Sequence, residues 1–568
     1  MIVSETMLAR WKKHVEGYEL GALEALACDT VSFKDAFYRD LAFGTGGLRG
    51  KLGMGPNRMN VYTVGKATQG LADYLNARFE NPSVALCRDS RHGGEEFVRR
   101  AAEVLAANGV RALLYPRIEP TPALSFAVRD LGCSAGVNVT ASHNPAEYNG
   151  YKVYGPDGCQ ITVGAAREIQ AAIDATDIFE GVRRVPFDEG VESGLISYIG
   201  EDTLDRYCDA VLKQSTGTDC SGLSVVYTPL NGTGLECVSR VLERIGVTDV
   251  SVVPEQAEPD GDFPTCPYPN PEIREALQKG LDLCESVKPD LLLANDPDAD
   301  RVGIAVPHDG GYTLLSGNEV GLLLLDFMAR RAEAAGADIS REVAMTTIVS
   351  APMADDLAYA HGFELRRTLT GFKFIGEQVG LLERDGREDD FLFGFEESYG
   401  YLTGSYVRDK DAVVASMLIC EMAAAYRAEG LGLYEAMERL YGCYGYWGNE
   451  LLSVKYEGPE GAECMASIMA TLRSEGLAEV AGMAVESFTD YSTAAPMPVV
   501  NPLPSDGPQA LPVSDVLEFR LAGGSRVLVR PSGTEPKIKA YVFGRGATRD
   551  EAETVTAFLS DAVMGVIK

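Results

Sequence analysis

Basic residues are scarce in this chain. Across 568 residues, 51 lysines and arginines stand against 83 aspartates and glutamates, a formal charge of −32. So acidic a surface repels nucleic-acid phosphates and anionic lipid, which argues against either as a bulk partner. An anionic substrate would need a local basic site built against that field. No C-x-x-C pair occurs. The twelve cysteines lie singly from Cys28 to Cys464 and read as buried, reduced thiols, with little support for a thiolate metal site. Met1-Ile-Val-Ser-Glu-Thr-Met7 has no cationic segment leading into an apolar run, so no signal peptide is visible. The greasiest helical stretch, Asp411 to Ala425, is interrupted by Glu421 and is too short to span a bilayer. A cytoplasmic protein without membrane contact is expected. There is no G-x-x-x-x-G-K-[ST] and no dinucleotide-binding context around Gly44–Gly50, which disfavours ATP and NAD. The G-x-S-x-G elbow of a serine hydrolase is also missing.

Apolar residues make up 46% and charged residues 24% of the chain, the balance of a globular protein. At about 150 residues per domain the length predicts roughly four domains. Leu8, Trp11, Val15 and Tyr18, spaced three and four apart, predict an opening helix. Short apolar runs then alternate with amphipathic stretches in the rhythm of βαβ units; examples are Ser83–Cys87, Ala135–Val139, Leu223–Tyr227, Asp290–Ala294 and Asp390–Phe393. Three such strands run directly into dense polar loops, at 140–152, 295–301 and 394–401. Open α/β sheets bind ligands outside the carboxyl ends of their strands, so chemistry is expected there. The last section differs. Six prolines within 496–512 exclude helix or central strand. Leu517–Leu521 and Arg526–Val529 read as antiparallel strands. Thr548-Arg-Asp-Glu551 reads as the capping box of a closing helix, with Val555, Phe558, Leu559, Ala562 and Val566 as its apolar face. The expected class is α/β with a smaller α+β domain appended.

Four loops carry chemical potential. In Thr140-Ala-Ser-His-Asn-Pro145, Ser142 sits where a strand turns into a loop, a setting for a nucleophile or phosphoryl carrier. His143, adjacent in sequence, is poorly placed to reach back to the Ser142 hydroxyl. In Asn295-Asp-Pro-Asp-Ala-Asp-Arg301 three alternating carboxylates, Asp296, Asp298 and Asp300, repel one another unless a cation sits among them. All-oxygen ligands favour Mg²⁺ or Ca²⁺. An EF-hand is excluded, because Arg301 and Pro307 stand where glycine and a bidentate Glu are needed. In Gly394-Phe-Glu-Glu-Ser-Tyr-Gly-Tyr401, Glu396 and Ser398 lie two apart, so an extended loop would turn both to one side, toward vicinal sugar hydroxyls. Arg530-Pro-Ser-Gly-Thr-Glu-Pro-Lys537 offers a guanidinium, hydroxyls and glycine backbone for a phosphate. Arg49 in the glycine-rich loop 43–50 and Lys373 in the short loop Thr370–Lys373 add local positive charge, with Lys152, Arg301 and Arg530.

These four loops, in this order and over essentially the whole chain, resemble the α-D-phosphohexomutase family, the phosphoglucomutases and phosphomannomutases. The resemblance implies three similar α/β domains with mixed sheets (1–205, 206–320 and 321–445) and a C-terminal α+β domain (446–568) around a central cleft. It implies that Ser142 is the serine kept phosphorylated in the active form, and that Asp296, Asp298 and Asp300 hold Mg²⁺ together with that serine. Arg49 and Lys152 match basic residues beside the phosphoserine, with His143 as a further candidate catalytic residue. Arg301, Lys373, Glu396 and Ser398 match substrate contacts. Arg530, Ser532, Gly533 and Thr534 match the loop that grips the non-reacting phosphate. The implied reaction interconverts glucose 1-phosphate and glucose 6-phosphate through a glucose 1,6-bisphosphate intermediate, which also serves as activator. The partner is then a small phosphorylated sugar, and the protein a monomer or homodimer.

Members acting on glucose and mannose alike read G-E-M-S-G-H at the sugar loop. Here Glu397 is the middle residue and Gly400 takes the histidine position, which looks more like the glucose-type members and leaves mannose and pentose phosphates open. One rival is a phosphohydrolase of the haloacid dehalogenase type, which expects Thr or Val two residues beyond its second Asp, where this chain has Asp300. Another is a sugar-phosphate-binding protein without catalysis, which would need neither Ser142 nor the aspartates.

Overall fold

Each apolar run read from the sequence is a strand, and most are buried along their whole length because helices cover both sheet faces. The computed structural model describes residues 2–456, 458–503, 509–532 and 537–568. Its contacts divide the chain into two units. One is Met1–Leu314 with Gly376–Arg384 and Gly404–Ala424; the other is Leu315–Ile375, Asp385–Thr403 and Ala425–Lys568.

The first unit begins with a six-stranded sheet, in the order Gly47–Lys51, Tyr148–Tyr154, Ala135–Val139, Ser83–Arg88, Arg111–Leu114, Ile196–Tyr198. The last four are parallel, and Tyr148–Tyr154 runs antiparallel to both its neighbours. Its second sheet joins parallel strands Leu291–Asn295, Ser224–Thr228 and Asp249–Val252 to the antiparallel Val302–His308, which neighbours Gly311–Leu315.

In the second unit, parallel strands Phe391–Phe395, Val343–Thr347 and Glu364–Thr368 are flanked by short antiparallel pieces, Tyr401–Leu402 and Val499–Val500. Among the described residues the proline-rich segment thus supplies a two-residue edge strand, in keeping with its missing N–H groups. A final six-stranded sheet, from Tyr446–Lys455 to Arg526–Pro531 and Lys537–Gly546, packs against helix Arg549–Ile567.

Several expectations need correction. The opening helix is Ile2–His14; Gly17 (φ +55°) begins a second helix, and Tyr18 is 91% exposed rather than in line with Trp11 and Val15. In helix Arg549–Ile567, Phe558 and Val566 face solvent (63% and 40% exposed), while Ala552, Leu559, Val563 and Ile567 are buried. The cause is close approach. A Cβ on Gly544 or Gly546 would lie 2.6 and 2.4 Å from the backbone nitrogens of Thr556 and Ala552, so the sheet seats the small residues and rotates Phe558 outward. The Thr548 hydroxyl does accept the Glu551 N–H, but Glu551 reaches back to the N–H of Ala547 rather than of Thr548. Cys28, Cys443 and Cys464 are exposed; the other nine cysteines are buried, and all twelve are free. Among the described residues no helix is long and apolar enough to cross a membrane.

Candidate functional site

Strand Ala135–Val139 ends at Thr140, and the chain then turns sharply. Ser142 takes a left-handed conformation (φ +53°), and its N–H is bonded to Thr140 Oγ1 at 2.8 Å. Its hydroxyl, nearly fully buried, donates to Asp296 Oδ2 at 2.7 Å. It also lies 3.1 Å from His143 Nδ1. Adjacency in sequence argued against that contact, but the left-handed turn brings the two consecutive side chains together. Burial, then the nearby Arg301 and Arg49 guanidinium groups, push the His143 pKa well below its ordinary value.

A residue the sequence reading passed over holds this turn. Arg91 is buried and donates to the carbonyls of Ser142, Asn144, Pro145 and Tyr148, the last two at 2.8 and 3.0 Å. It pairs with Asp89 at 3.3 Å, and both side chains are fully shielded. Burial lifts the Asp89 carboxyl to about 6 against the pull of Arg91. The signal was available. Arg88-Asp-Ser-Arg-His92 is another polar loop after a buried strand, Ser83–Arg88.

Arg49 lies in edge strand Gly47–Lys51, opposite Gly150, rather than in a flexible loop. Its Nη1 is 3.4 Å from Asn144 Oδ1. Glycine is obligatory opposite it: a Cβ on Gly150 would sit 2.5 Å from the Thr140 carbonyl. Gly47 pairs with Lys152, which brings the two basic residues to one end of the sheet.

The three aspartates follow buried strand Leu291–Asn295 and are themselves buried. Asp296 Oδ1 accepts the N–H groups of Asp300 and Arg301 at 3.1 and 3.0 Å, folding the loop on itself. The Pro297, Asp298 and Ala299 carbonyls are taken by the N–H groups of Thr233, Thr121 and Ala412. Asp298 Oδ2 receives Lys152 Nζ at 2.8 Å and Thr121 Oγ1 at 3.0 Å. Asp300 pairs with Lys410 at 3.0 Å and Lys152 at 3.6 Å. Burial and the two neighbouring carboxylates raise the Asp296 carboxyl well above its usual range. Burial acts the same way on Asp298, but the Lys152 ammonium, with Asp296 and Lys410, overcomes it and holds that carboxyl low. Among the described residues, Asp298 Oδ1 and Asp300 Oδ1 are buried without a hydrogen-bond partner. Ligand oxygens from all three aspartates lie within 4.8 Å of one another. Hard oxygen donors from three aspartates within reach of one another, two of them without a hydrogen-bond partner, fit a divalent cation. Lys410, in the loop before helix Ala412–Ala428, is a second residue missed from sequence. The Arg301 guanidinium is held by Glu272 at 2.7 Å.

The other candidates lie in the second unit. The 394–401 segment is a tight turn rather than an extended loop: Glu396 N–H bonds to the Gly400 carbonyl, and Phe391–Phe395 pairs with Tyr401–Leu402. Glu396 and Ser398 therefore do not share a face by strand alternation. Glu396 Oε1 accepts the Gly371 N–H at 2.9 Å, and Ser398 is half-buried. Lys373 occupies the first turn of helix Phe372–Arg384, not a loop. Arg530 ends strand Arg526–Pro531, and its guanidinium reaches Thr370 Oγ1. Ser532 N–H bonds to the Lys537 carbonyl at 2.7 Å. Gly533 and Thr534 lie outside the described residues.

Cations gathered about one buried serine, in a chain of net charge −32, suit a phosphoryl group. The fold and this site together define a phosphoryl-transfer enzyme. Comparison with known proteins makes that class particular. Models of phosphoglucomutase/phosphomannomutase α/β/α domains I, II and III match residues 40–178, 205–311 and 316–444, and the C-terminal domain model matches 473–562. The chain belongs to the phosphoglucomutase/phosphomannomutase family. It is 35% identical to a phosphoglucomutase of Staphylococcus epidermidis over 92% of this chain and 93% of that one. It is 36% identical to a phosphoglucomutase of Staphylococcus aureus, over 90% and 91%. Its fold resembles that of pp63/parafusin, a phosphoglucomutase of Paramecium solved in an open form, with a TM-score of 0.66, 17% identity, and 93% and 95% of the two chains covered.

Proposed function

We propose that this protein interconverts glucose 1-phosphate and glucose 6-phosphate, with Ser142 carrying the phosphoryl group in transit and glucose 1,6-bisphosphate as intermediate and activator. The observation that carries the reading is the Ser142 hydroxyl, bonded to Asp296 at 2.7 Å within a buried acidic triad that could hold a cation. Mg²⁺ held by Asp296, Asp298, Asp300 and the serine would supply Lewis-acid charge at the transferring group. Glucose is favoured by the Glu-Glu-Ser sugar loop and by the relatives' activity.

In the forward half-reaction a sugar hydroxyl attacks the phosphorus of phospho-Ser142 in line. The new O–P bond forms at the sugar as the bond to Oγ breaks. Lys152, held cationic by Asp298 and Asp300, and Arg49 neutralise phosphoryl oxygens; these two with His143 are the groups available to pass the hydroxyl proton. Arg91 fixes the turn that holds Oγ, from which the phosphoryl group departs and to which it returns. Glu396 and Ser398 take sugar hydroxyls, Lys373 and Arg301 add substrate contacts, and Arg530, Ser532, Gly533 and Thr534 hold the phosphate that does not react. The bisphosphate then reverses, and its other phosphoryl group returns to Ser142. These roles fall to four domains, 1–205, 206–320, 321–445 and 446–568.

The test is a coupled mutase assay with Mg²⁺ and a trace of glucose 1,6-bisphosphate, comparing glucose 1-phosphate, mannose 1-phosphate and ribose 1-phosphate by kcat/KM. Highest kcat/KM for glucose 1-phosphate is expected. A preference for ribose 1-phosphate would keep the mechanism and reject the substrate; no turnover of any of them by phosphorylated protein would reject the mutase.

A further inference from the structure

The sugar loop contains two adjacent glutamates, and only the first matches a sugar contact. The second is occupied otherwise. Glu397 Oε2 accepts hydrogen bonds from Thr347 Oγ1 at 3.0 Å and Ser350 Oγ at 3.2 Å, and those hydroxyls lie 2.8 Å apart. Both are fully buried, Thr347 at the end of strand Val343–Thr347 and Ser350 in the turn that follows it. That turn is itself clamped. Arg367 donates to the carbonyls of Thr347, Ser350 and Ala351 at 3.0, 3.2 and 2.9 Å, and Arg526 donates to the Ile348 carbonyl at 3.1 Å. Both arginines are buried and anchored, on Asp355 and Glu518 respectively. The backbone of Glu397 is seated as closely as its side chain: a Cβ on Gly317 would lie 2.2 Å from the Glu397 carbonyl oxygen.

From this geometry we infer that Thr347 and Ser350, acting through Glu397, are positioning residues that fix where the sugar loop presents Glu396 and Ser398, and so set discrimination among hexose phosphates. The inference rests on the functional reading above. A buried two-hydroxyl socket gives one rotamer to Glu397 and therefore one conformation to the turn around it. Ser398 follows directly in that turn, so an error of a few tenths of an ångström at Glu397 passes to the group that reads the sugar. A member with methionine at this position cannot use the socket, because a thioether is at best a weak acceptor.

The experiment compares Glu397→Gln, Glu397→Met and the double variant Thr347→Val with Ser350→Ala. It measures kcat and KM for glucose 1-phosphate and mannose 1-phosphate, and thermal midpoints. The Gln amide oxygen can accept from both hydroxyls, so Glu397→Gln is expected to keep KM within about threefold of wild type. Glu397→Met and the double variant should raise KM for glucose 1-phosphate about tenfold, with kcat little changed, and narrow the glucose-to-mannose ratio by a similar factor. Lowered midpoints with KM and the ratio unmoved would overturn the inference in favour of a structural role. Equal losses in Gln and Met would overturn it in favour of direct contact between the Glu397 charge and substrate. A wild type inactive on both sugars would overturn the functional reading and this inference with it; an active wild type with unmoved variants overturns the inference alone.

Discussion

The Ser142 region and the sugar and phosphate loops are built on different principles. Around Ser142 the charged groups are buried and locked to backbone, and among the described residues two carboxylate oxygens have no hydrogen-bond partner. In the second unit the side chains proposed for sugar and phosphate contact are closed on neighbours, Glu396 on the Gly371 N–H and Arg530 on Thr370, and Glu397 is fixed on Thr347 and Ser350. Phosphoryl transfer gains from preorganised, desolvated charge that need not rearrange as the reaction proceeds. Recognition of a sugar phosphate instead exchanges the Glu396 and Arg530 hydrogen bonds for others at little net cost, while Glu397 stays in its socket. Substitutions in the first region should therefore act on kcat, and those in the second on KM.

The sharpest break of this contrast is Ser142→Ala, which should lower kcat by about 10⁴-fold or more while leaving sugar-phosphate binding measurable by calorimetry. Chelation with EDTA should follow closely: turnover falls to background and returns with Mg²⁺. Asp298→Asn should weaken the metal's apparent affinity by at least about tenfold, read from the Mg²⁺ dependence of the rate. Arg91→Lys keeps the charge but loses the fork that binds four carbonyls, so the serine turn loosens; kcat should drop about 10²-fold with KM nearly unchanged. On the other side of the comparison, Glu396→Gln should raise KM about tenfold and reduce kcat much less. An equal fall in kcat would erase the distinction between the regions.

The smallest expected effect lies away from both. His361 is hydrogen-bonded to Asp326 and Glu333, at 3.2 and 2.9 Å, and these bonds raise its pKa above the ordinary 6.5 despite burial. Its contribution to stability is therefore complete below about pH 6.5 and is lost as pH rises through the elevated folded value. Thermal midpoints of wild type and His361→Asn should differ most at acidic pH and converge above that value, a difference worth under about 1 kcal/mol.

Much of this was legible in the sequence because buried parallel strands are continuous apolar runs, and the loops after them stand out by contrast. Ser142 and the triad stand in such loops; Lys152, read in the loop 140–152, lies instead in strand Tyr148–Tyr154. Lys410 was not legible, because it acts by reaching a residue more than fifty positions away, which neither spacing nor periodicity records; Arg91 stood in a loop of the same kind and was passed over. The Ser142–His143 contact depends on one left-handed φ at a non-glycine residue, which composition does not announce. The face of helix Arg549–Ile567 was misread because two glycines on the facing strand, not the helix's own pattern, decide its rotation. Strand Glu364–Thr368 shows the same limit. Glu-Leu-Arg-Arg-Thr reads as polar, yet all five residues are buried, with Glu364 and Arg366 paired to each other and Arg367 spent on the turn at 347–351.

The central claim is that Ser142 is the phosphoryl carrier. It is tested most directly by incubating the protein with Mg²⁺ and glucose 1,6-bisphosphate labelled in both phosphates, then mapping the label by peptide mass spectrometry and chasing with unlabelled glucose 1-phosphate. The account predicts one labelled residue, Ser142, whose label leaves on the sugar during the chase at a rate no slower than turnover. Label on another residue, or isomerisation that proceeds while Ser142 stays unlabelled, would contradict it.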